Sequence, residues 1–217
     1  ARLVSTLAWT EDPVGGNPLL AIEEDGVHAA EGLILARYFM FTQVYFHRVR
    51  RAYDYHLSEA LRASIGKYPS PSALDEYLDW DDLKVFMKLR EIAESGRDGA
   101  DHARRVLERD HYRVAYSTGE HPSAAQLRRW EQLRELVTKE FGDRIVFDSA
   151  EKAPHKFDRS LRAFPVFKGE AAAPTSIEEE SGLIEKLEEL KVCRIFAPRE
   201  LREEVAAYCL NQNLNVR

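Results

Sequence analysis

The residues that could do chemistry lie in one apolar segment, residues 31–53, where a few polar side chains stand among aromatic ones. Arg37, Phe41 and Tyr45 follow one another at intervals of four, which places them on one face of a helix. A guanidinium has five donors and no acceptor, so a buried arginine needs a carboxylate or a phosphate beside it. Two interpretations stay open: a structural helix whose arginine pairs with a core carboxylate, or a helix whose Arg37 and Tyr45 line a phosphate or nucleoside pocket.

The helix that carries these residues is predicted over residues 27–65, because no proline occurs there and only Gly32 interrupts the stretch. Aromatic side chains surround this helix on all sides, which predicts burial inside an assembly larger than the chain. Upstream, residues 1–9 are predicted to be the end of a helix, and residues 19–22 a short extended piece.

The chain changes character near residue 112. Before it, glycines and prolines divide the sequence into helices, and after it alternating apolar residues indicate strands between helices. The predicted helices are residues 72–78, 80–95, 97–110, 122–141, 177–190 and 198–210, and the predicted strands are 113–117, 144–147, 164–167 and 192–196. The predicted fold class is mainly α in the first half with a small α+β unit in the second, giving domains 1–112 and 113–217.

Composition excludes some classes of protein. The net charge of −6 argues against a general nucleic-acid-binding protein, which would show a basic excess. No apolar run approaches the roughly 20 residues that a membrane-spanning helix needs, and no signal peptide is visible. The only two cysteines, Cys193 and Cys209, are interpreted as thiols of a reducing compartment. We therefore expect a cytoplasmic protein that binds neither membranes nor nucleic acids.

Two strings carry a resemblance to a known family. The string ARYFMFTQVYFH at residues 36–47, and LAIEEDGVHAAE at residues 20–31 before it, resemble bacterial HD-superfamily phosphohydrolases of the dNTP triphosphohydrolase type. The match is specific over residues 1–62, is recognisable to residue 116 and is weak beyond.

The resemblance implies roles for six residues. It implies that Arg37 faces the substrate phosphates and that Tyr45 lines the nucleoside pocket. A histidine and a basic residue, here His47 and Arg48, hold a regulatory nucleotide at a subunit interface of the family. The segment 109–113 is similar to a basic stretch that contacts the phosphates of that nucleotide in an animal member, so the resemblance also implies that Arg109 and Arg113 bind it. The chain departs from that member at residue 46, where it has phenylalanine and not a base-contacting glutamine, so the base specificity stays open.

The chemistry of the family needs two histidines, an adjacent His-Asp pair and a later aspartate around a divalent metal, which lowers the pKa of a bound water. The chain contains no His-Asp dipeptide. Its reversed pairs, Asp101-His102 and Asp110-His111, are interpreted as solvated surface. We expect no catalytic residue and no metal ligand in this chain. The resemblance places them in an HD segment upstream of Ala1, so that the chain is a fragment that hydrolyses nothing alone.

Two functional hypotheses follow. In the first, the chain is the C-terminal portion of a metal-dependent nucleotide phosphohydrolase of the dNTP type, whose partners are a nucleotide, the missing HD segment and further copies of itself in a homo-oligomer. In the second, it is a non-catalytic module for oligomerisation or regulation. The sequence leaves open the base, the identity of the metal in the full-length parent and the size of the oligomer.

Overall fold

A computed structural model describes residues 2–11, 16–65, 69–70, 72–153, 164–169 and 173–212. This part of the chain forms a mixed α+β fold, in agreement with the predicted class in general terms. The α-helices are α1 (Arg2–Ser5), α2 (Val27–Met40), α3 (Arg48–Ile65), α4 (Leu74–Leu78), α5 (Asp82–Ser95), α6 (Ala100–Leu107), α7 (Ala124–Phe141), α8 (Ile177–Glu180), α9 (Gly182–Glu185) and α10 (Arg202–Asn211). The strands are β1 (Leu7–Glu11), β2 (Pro18–Glu23), β3 (Arg113–Ser117), β4 (Val146–Lys152), β5 (Pro165–Phe167), β6 (Thr175–Ser176) and β7 (Leu190–Ala197).

The strands form two sheets. The first has the order β1-β2-β5-β6, in which β2 pairs antiparallel with β1 and parallel with β5. The second has the order β3-β7-β4, and β3 pairs antiparallel with β7 so that Arg113 lies opposite Ala197. That register brings the start of β3 beside the segment that follows β7.

The helix predicted over residues 1–9 is wrong beyond its first turn. Only Arg2–Ser5 is helical, and Leu7–Glu11 forms strand β1. The strand exists because its backbone pairs with β2 along its whole length, from Leu7 opposite Ile22 to Glu11 opposite Pro18. Long-range pairing of this kind overrides a weak local helix preference.

The single helix predicted over residues 27–65 is also wrong. Helix α2 ends at Met40, a π-helical turn follows over Phe41–Tyr45, and α3 begins only at Arg48. The amide of Phe46 donates to the carbonyl of Phe41 at 2.8 Å, the i to i+5 bond of a π turn. No glycine or proline marks this break, and π turns are frequent at functional sites.

Elements bounded by clear local signals agree with prediction. Strand β3 has the predicted bounds, and α5, α7 and α10 overlap their predicted helices. Helix α7 begins with a capping box between Ser123 and Gln126, which satisfies backbone donors at its first turn. The helix predicted over residues 177–190 is helical only in its first half and is not continuous, because the side chain of Ser181 caps a new helix, α9, directly after α8.

The chain folds into two compact units, each built from separate segments. Unit 1 comprises Ala1–Phe46, Gly119–Pro122 and Ser149–Val192, and unit 2 comprises His47–Thr118, Ser123–Asp148 and Cys193–Arg217. Both units take residues from either side of position 112. The predicted division into domains 1–112 and 113–217 stays a prediction.

Each unit has its own apolar cores. In unit 2 the largest core packs α7 against β7 and α10, and a smaller one joins α3, α5 and α6 around Ala60 and Leu89. In unit 1 one core forms between α2, β2 and β5 around Ile22 and Val166, and a second surrounds Phe46. Burial of these apolar side chains is the main contribution that stabilises each unit.

No helix within the described ranges is both long and apolar enough to cross a membrane.

Candidate functional site

The predicted row of Arg37, Phe41 and Tyr45 is present in unit 1, at the end of α2 and in the π turn. The guanidinium carbon of Arg37 lies 5.3 Å from the centre of the Phe41 ring. The centres of the Phe41 and Tyr45 rings are 5.2 Å apart. The shared face that the spacing predicts is therefore confirmed. It carries a second cation that the sequence did not indicate, since Nζ of Lys152 lies 5.9 Å from the centre of the Phe41 ring.

The apolar surface of this segment is only partly covered by the residues that the structure describes. Arg37 is half-buried, and Tyr45 keeps 41% of its surface exposed. Four further large apolar side chains between residues 33 and 44 are exposed: Leu33, Phe39, Met40 and Val44. Within the described residues the helix is thus not buried on all sides. The burial predicted from its aromatic composition would require a surface beyond the described residues.

Phe46, at the position of the departure from the animal member, belongs to an apolar core. It is 8% exposed and packs with Ala150, Leu190 and Val192 in unit 1. Its side chain stabilises the end of the π turn, because the ring is buried at the point where the helix breaks. This packing gives residue 46 a structural role.

Two of the four residues implied for a regulatory nucleotide come together in unit 2. Arg48, the first residue of α3, and Arg113, the first residue of β3, both line a cavity of about 380 Å³. The lining residues are Arg48, Val49, His111, Tyr112, Arg113, Val114, Phe196, Arg199, Arg202 and Glu203. His47 and Arg109 lie outside that lining; His47 is exposed, and Arg109 has a left-handed backbone with a φ of 59°.

Sequence reasoning missed two further arginines of this cavity, Arg199 and Arg202. Nε of Arg202 donates to the carbonyl oxygen of Val114 at 3.2 Å, and Nε of Arg199 lies 3.7 Å from Oδ1 of Asp110. The signal that could have found them is the PRELR string at residues 198–202, where two basic residues follow a strand and open a helix. Such a position favours anions.

His111 contradicts the interpretation of Asp110-His111 as solvated surface. Its side chain is 8% exposed, and its ring centre lies 4.8 Å from that of Tyr53. Nη1 of Arg113 donates to Nε2 of His111 at 2.7 Å. Burial, and then the nearby charge of Arg113, lower the pKa of His111. The histidine is covered because it immediately precedes β3, whose first residues pack in unit 2.

Two histidines, one fully buried and one half-buried, hold the backbone next to this cavity. His56 on α3 is fully buried, and its Nδ1 lies 2.9 Å from Nδ1 of His102 on α6. Its Nε2 accepts a hydrogen bond from the backbone amide of Tyr112 at 3.2 Å. His102 is half-buried and its pKa is lowered mainly by burial, so the interpretation of Asp101-His102 as solvated surface is wrong for the histidine. The packing of α6 against α3 is what covers it.

The whole chain, residues 1–217, matches the protein family described as "HD associated region". The chain belongs to the HD associated region family. This confirms the predicted resemblance to HD-superfamily proteins. No curated protein matches the chain.

Two solved structures resemble this HD associated region. A hypothetical protein from Aquifex aeolicus is 27% identical to it, with a TM-score of 0.74 over 95% of this chain and 50% of its own. A phosphohydrolase from Bacteroides thetaiotaomicron is 19% identical, with a TM-score of 0.59 over 91% of this chain and 55% of its own. The second likeness shows the fold alone. The HD associated region spans about half the length of both proteins.

The described side chains of the HD associated region form no cluster that would hold a divalent metal. Among its described residues, no three histidine, cysteine, aspartate or glutamate side chains come together as a metal would require. That the full-length parent holds its metal in a separate HD segment stays a prediction.

Proposed function

We propose that the chain is the C-terminal portion of a cytoplasmic, metal-dependent nucleotide phosphohydrolase of the dNTP type. In this proposal Arg37 contacts the substrate phosphates and Tyr45 the nucleoside, whereas the metal ligands belong to the HD segment of the parent. The observation that carries the proposal is the contact row of Arg37, Phe41 and Tyr45, in which a cation lies over one aromatic ring and that ring contacts a second. A nucleotide offers the matching groups, an anionic phosphate chain and a flat base or sugar.

Membership of the HD associated region family supports the enzyme class, since the family is named for its association with the HD domain. Lys152 supports the proposal that an anionic phosphate binds here, because it places a second cation near the Phe41 ring. Cys193 and Cys209 are both buried thiols, which is consistent with a reducing compartment.

Replacing Arg37 by alanine in the full-length parent is expected to lower kcat/KM for dNTP hydrolysis about tenfold or more. A charge-assisted hydrogen bond contributes about 1.5–3 kcal/mol, and each 1.4 kcal/mol corresponds to a factor of ten. The rate is measured with Mn²⁺ or Mg²⁺ and a mixture of the four dNTPs. The matched control is Arg128→Ala, which removes an exposed arginine of α7 and is expected to leave kcat/KM unchanged.

An unchanged rate in the Arg37→Ala parent would show that Arg37 does not bind the phosphates. A parent that hydrolyses none of the dNTPs with either metal would exclude the proposed substrate class.

We further propose that His47, Arg48, Arg109 and Arg113 contact a regulatory nucleotide. The support is the position of Arg48 and Arg113 on one cavity of unit 2, although they are 65 residues apart in the sequence. His47 directly precedes Arg48 in the chain, and Arg109 directly precedes the segment that leads into β3.

The second candidate function is a non-catalytic module for oligomerisation, and exposed apolar side chains favour it. Besides the surface of α2, a second set of exposed side chains lies on α4 and α5: Leu74, Tyr77, Leu78, Leu83, Phe86 and Met87. Contiguous apolar surface on a folded protein commonly marks an interaction site.

Sedimentation velocity of this chain tests that function. We expect an oligomer at micromolar concentration, and we expect Phe39→Glu to shift the distribution toward monomer, because it places a charge on the exposed face of α2. Leu210→Glu on α10 changes an exposed apolar side chain of unit 2 and serves as the control. A monomer in the unsubstituted chain would count against the module, and an equal shift in the control would show that α2 is not the contact.

A further inference from the structure

The arginine-lined cavity of unit 2 carries more positive charge than the proposed regulatory contacts supply. We propose that it is a polyphosphate-binding site, in which Arg199 and Arg202 hold the phosphate chain together with Arg48 and Arg113. This inference extends the proposed regulatory site by two residues and by a class of ligand. The ligand is any molecule with a linear triphosphate, whether a nucleoside triphosphate or inorganic tripolyphosphate.

The charge of the lining selects a polyanion. Four arginines against one glutamate, Glu203, leave a formal charge of +3 when His111 is neutral. The chain as a whole carries −6, so this concentration of positive charge is a local feature. A guanidinium binds two phosphate oxygens at once, and several around one cavity match a chain of phosphates better than a single carboxylate. The volume of about 380 Å³ lies in the range of small-molecule sites.

Hydrogen bonds inside unit 2 hold two of the guanidinium groups in place. Arg202 donates from Nε to the carbonyl of Val114, and Arg113 donates from Nη1 to His111. Each bond uses only part of the five donors of its guanidinium, so other N–H groups stay available for a ligand. Groups held before a ligand arrives lose less side-chain entropy on binding, which raises affinity.

His111 adds a buried donor to the lining. Because its Nε2 accepts from Arg113, the neutral ring carries its proton on Nδ1. Nδ1 is buried and makes no hydrogen bond of ordinary geometry to the described residues, although the backbone of Arg109 lies close enough to favour protonation of the ring. A buried donor without a good acceptor is costly, and a phosphate oxygen in the cavity would satisfy it.

Two helices also begin at the cavity. Arg48 is the first residue of the 18-residue helix α3, and Arg202 is the first residue of the 10-residue helix α10. The first amides of a helix lack intrahelical acceptors and carry a partial positive charge, which favours phosphates. The N-termini of both helices therefore add to the positive electrostatic potential that the arginines create in the cavity.

Two carboxylates near the cavity oppose the ligand. Glu203 accepts a hydrogen bond from Nη1 of Arg202, and Asp110 lies 3.7 Å from Arg199. Both pairs lie in exposed surroundings, where an ion pair contributes little. A polyphosphate can therefore replace them, and removal of Glu203 is expected to strengthen its binding.

Calorimetric titration of the full chain with inorganic tripolyphosphate, and separately with dATP, tests the site. We expect Arg199→Gln and Arg202→Gln each to weaken binding of both ligands about tenfold or more, and Glu203→Gln to tighten it. Arg128→Gln on α7 is the matched control and is expected to change neither affinity. Arg199→Gln removes no backbone hydrogen bond among the described residues, and a gain of affinity in Glu203→Gln cannot come from misfolding.

Unchanged affinity in Arg199→Gln and Arg202→Gln would overturn the site, as would a loss confined to dATP, since the shared triphosphate would then not be what is recognised. A different result would contradict the proposal that the site is regulatory. If nucleotides do not alter the rate of the full-length parent, that proposal fails while the titrations still report the polyphosphate site. If Arg48→Ala abolishes regulation and Arg199→Gln does not, only the present inference fails.

Discussion

Asp148→Ala is expected to lower the free energy of unfolding by about 3–5 kcal/mol. The side chain of Asp148 on β4 is 11% exposed and lies between two arginines of unit 2. Nε of Arg51 donates to both of its carboxylate oxygens, at 3.0 and 3.2 Å, and Nη1 of Arg194 lies 3.6 Å from Oδ2. The hydrogen bond to Asp148 raises the pKa of Arg51, burial opposes this by lowering it, and the charges of Asp148 and Asp54 raise it further, so that the overall shift is upward. Alanine would leave these partly buried charges without the carboxylate that faces them.

Urea unfolding at pH 7 followed by circular dichroism measures this change. The control is Asp143→Ala, which removes an exposed aspartate just before β4 and is expected to change stability by less than about 0.5 kcal/mol. A loss below about 1 kcal/mol for Asp148→Ala would show that water or other groups compensate the two arginines. Equal losses in both variants would show that the effect is one of net charge, not of the ion pairs.

The sequence predicts the parts of the fold that local signals define. Glycine and proline bound the helices of residues 72–110, and alternation marks β3 with its observed bounds. Strand β1 could not be predicted, because it depends on pairing with β2 and not on its own residues. The break between α2 and α3 escaped prediction for a related reason. It is fixed by burial of Phe46 in a core whose other buried members, Ala150, Leu190 and Val192, lie more than 100 residues away.

The candidate sites could likewise be predicted only where they depend on local sequence and not on long-range contacts. Spacing was enough to place Arg37, Phe41 and Tyr45 on one face, since all three belong to one continuous segment. The cavity of unit 2 needs the register of β3 on β7, which sets Arg113 opposite Ala197 and so brings Arg199 and Arg202 close. Register is a property of the folded sheet and cannot be read from either strand alone.

Acidification is expected to destabilise the protein through His56. This side chain is fully buried, and its Nε2 accepts a hydrogen bond from the amide of Tyr112, so that a proton on Nε2 would face another donor. Burial, then the charges of His102 and Arg105, lower its pKa from 6.5 to about 4, against an opposing effect of Asp101. The folded state thus takes up this proton later than the unfolded state. The stability contributed by His56 is fully present above pH 6.5 and is lost as the pH falls toward 4, by about 3 kcal/mol in all.

Unfolding by urea at pH 7.5 and at pH 5 measures the effect. Between pH 7.5 and pH 5, protonation of His56 is expected to lower the free energy of unfolding of the unsubstituted chain by about 2 kcal/mol. The decrease in His56→Gln should be smaller by about 2 kcal/mol, because glutamine takes up no proton. The variant starts from a lower stability at pH 7.5, since it disturbs the contacts to His102 and Tyr112. The comparison therefore concerns the change in the free energy of unfolding between the two pH values, and not its absolute value at either pH.

The control is His47→Gln, which replaces an exposed histidine and is expected to keep the pH dependence of the unsubstituted chain. If His56→Gln retained the full acid loss, the neutral buried histidine would not be its source. If acid weakened tripolyphosphate binding in the unsubstituted chain but not in His56→Gln, the same histidine would also control the cavity. That result is expected from the geometry, because the amide that His56 holds lies between His111 and Arg113, two residues of the lining.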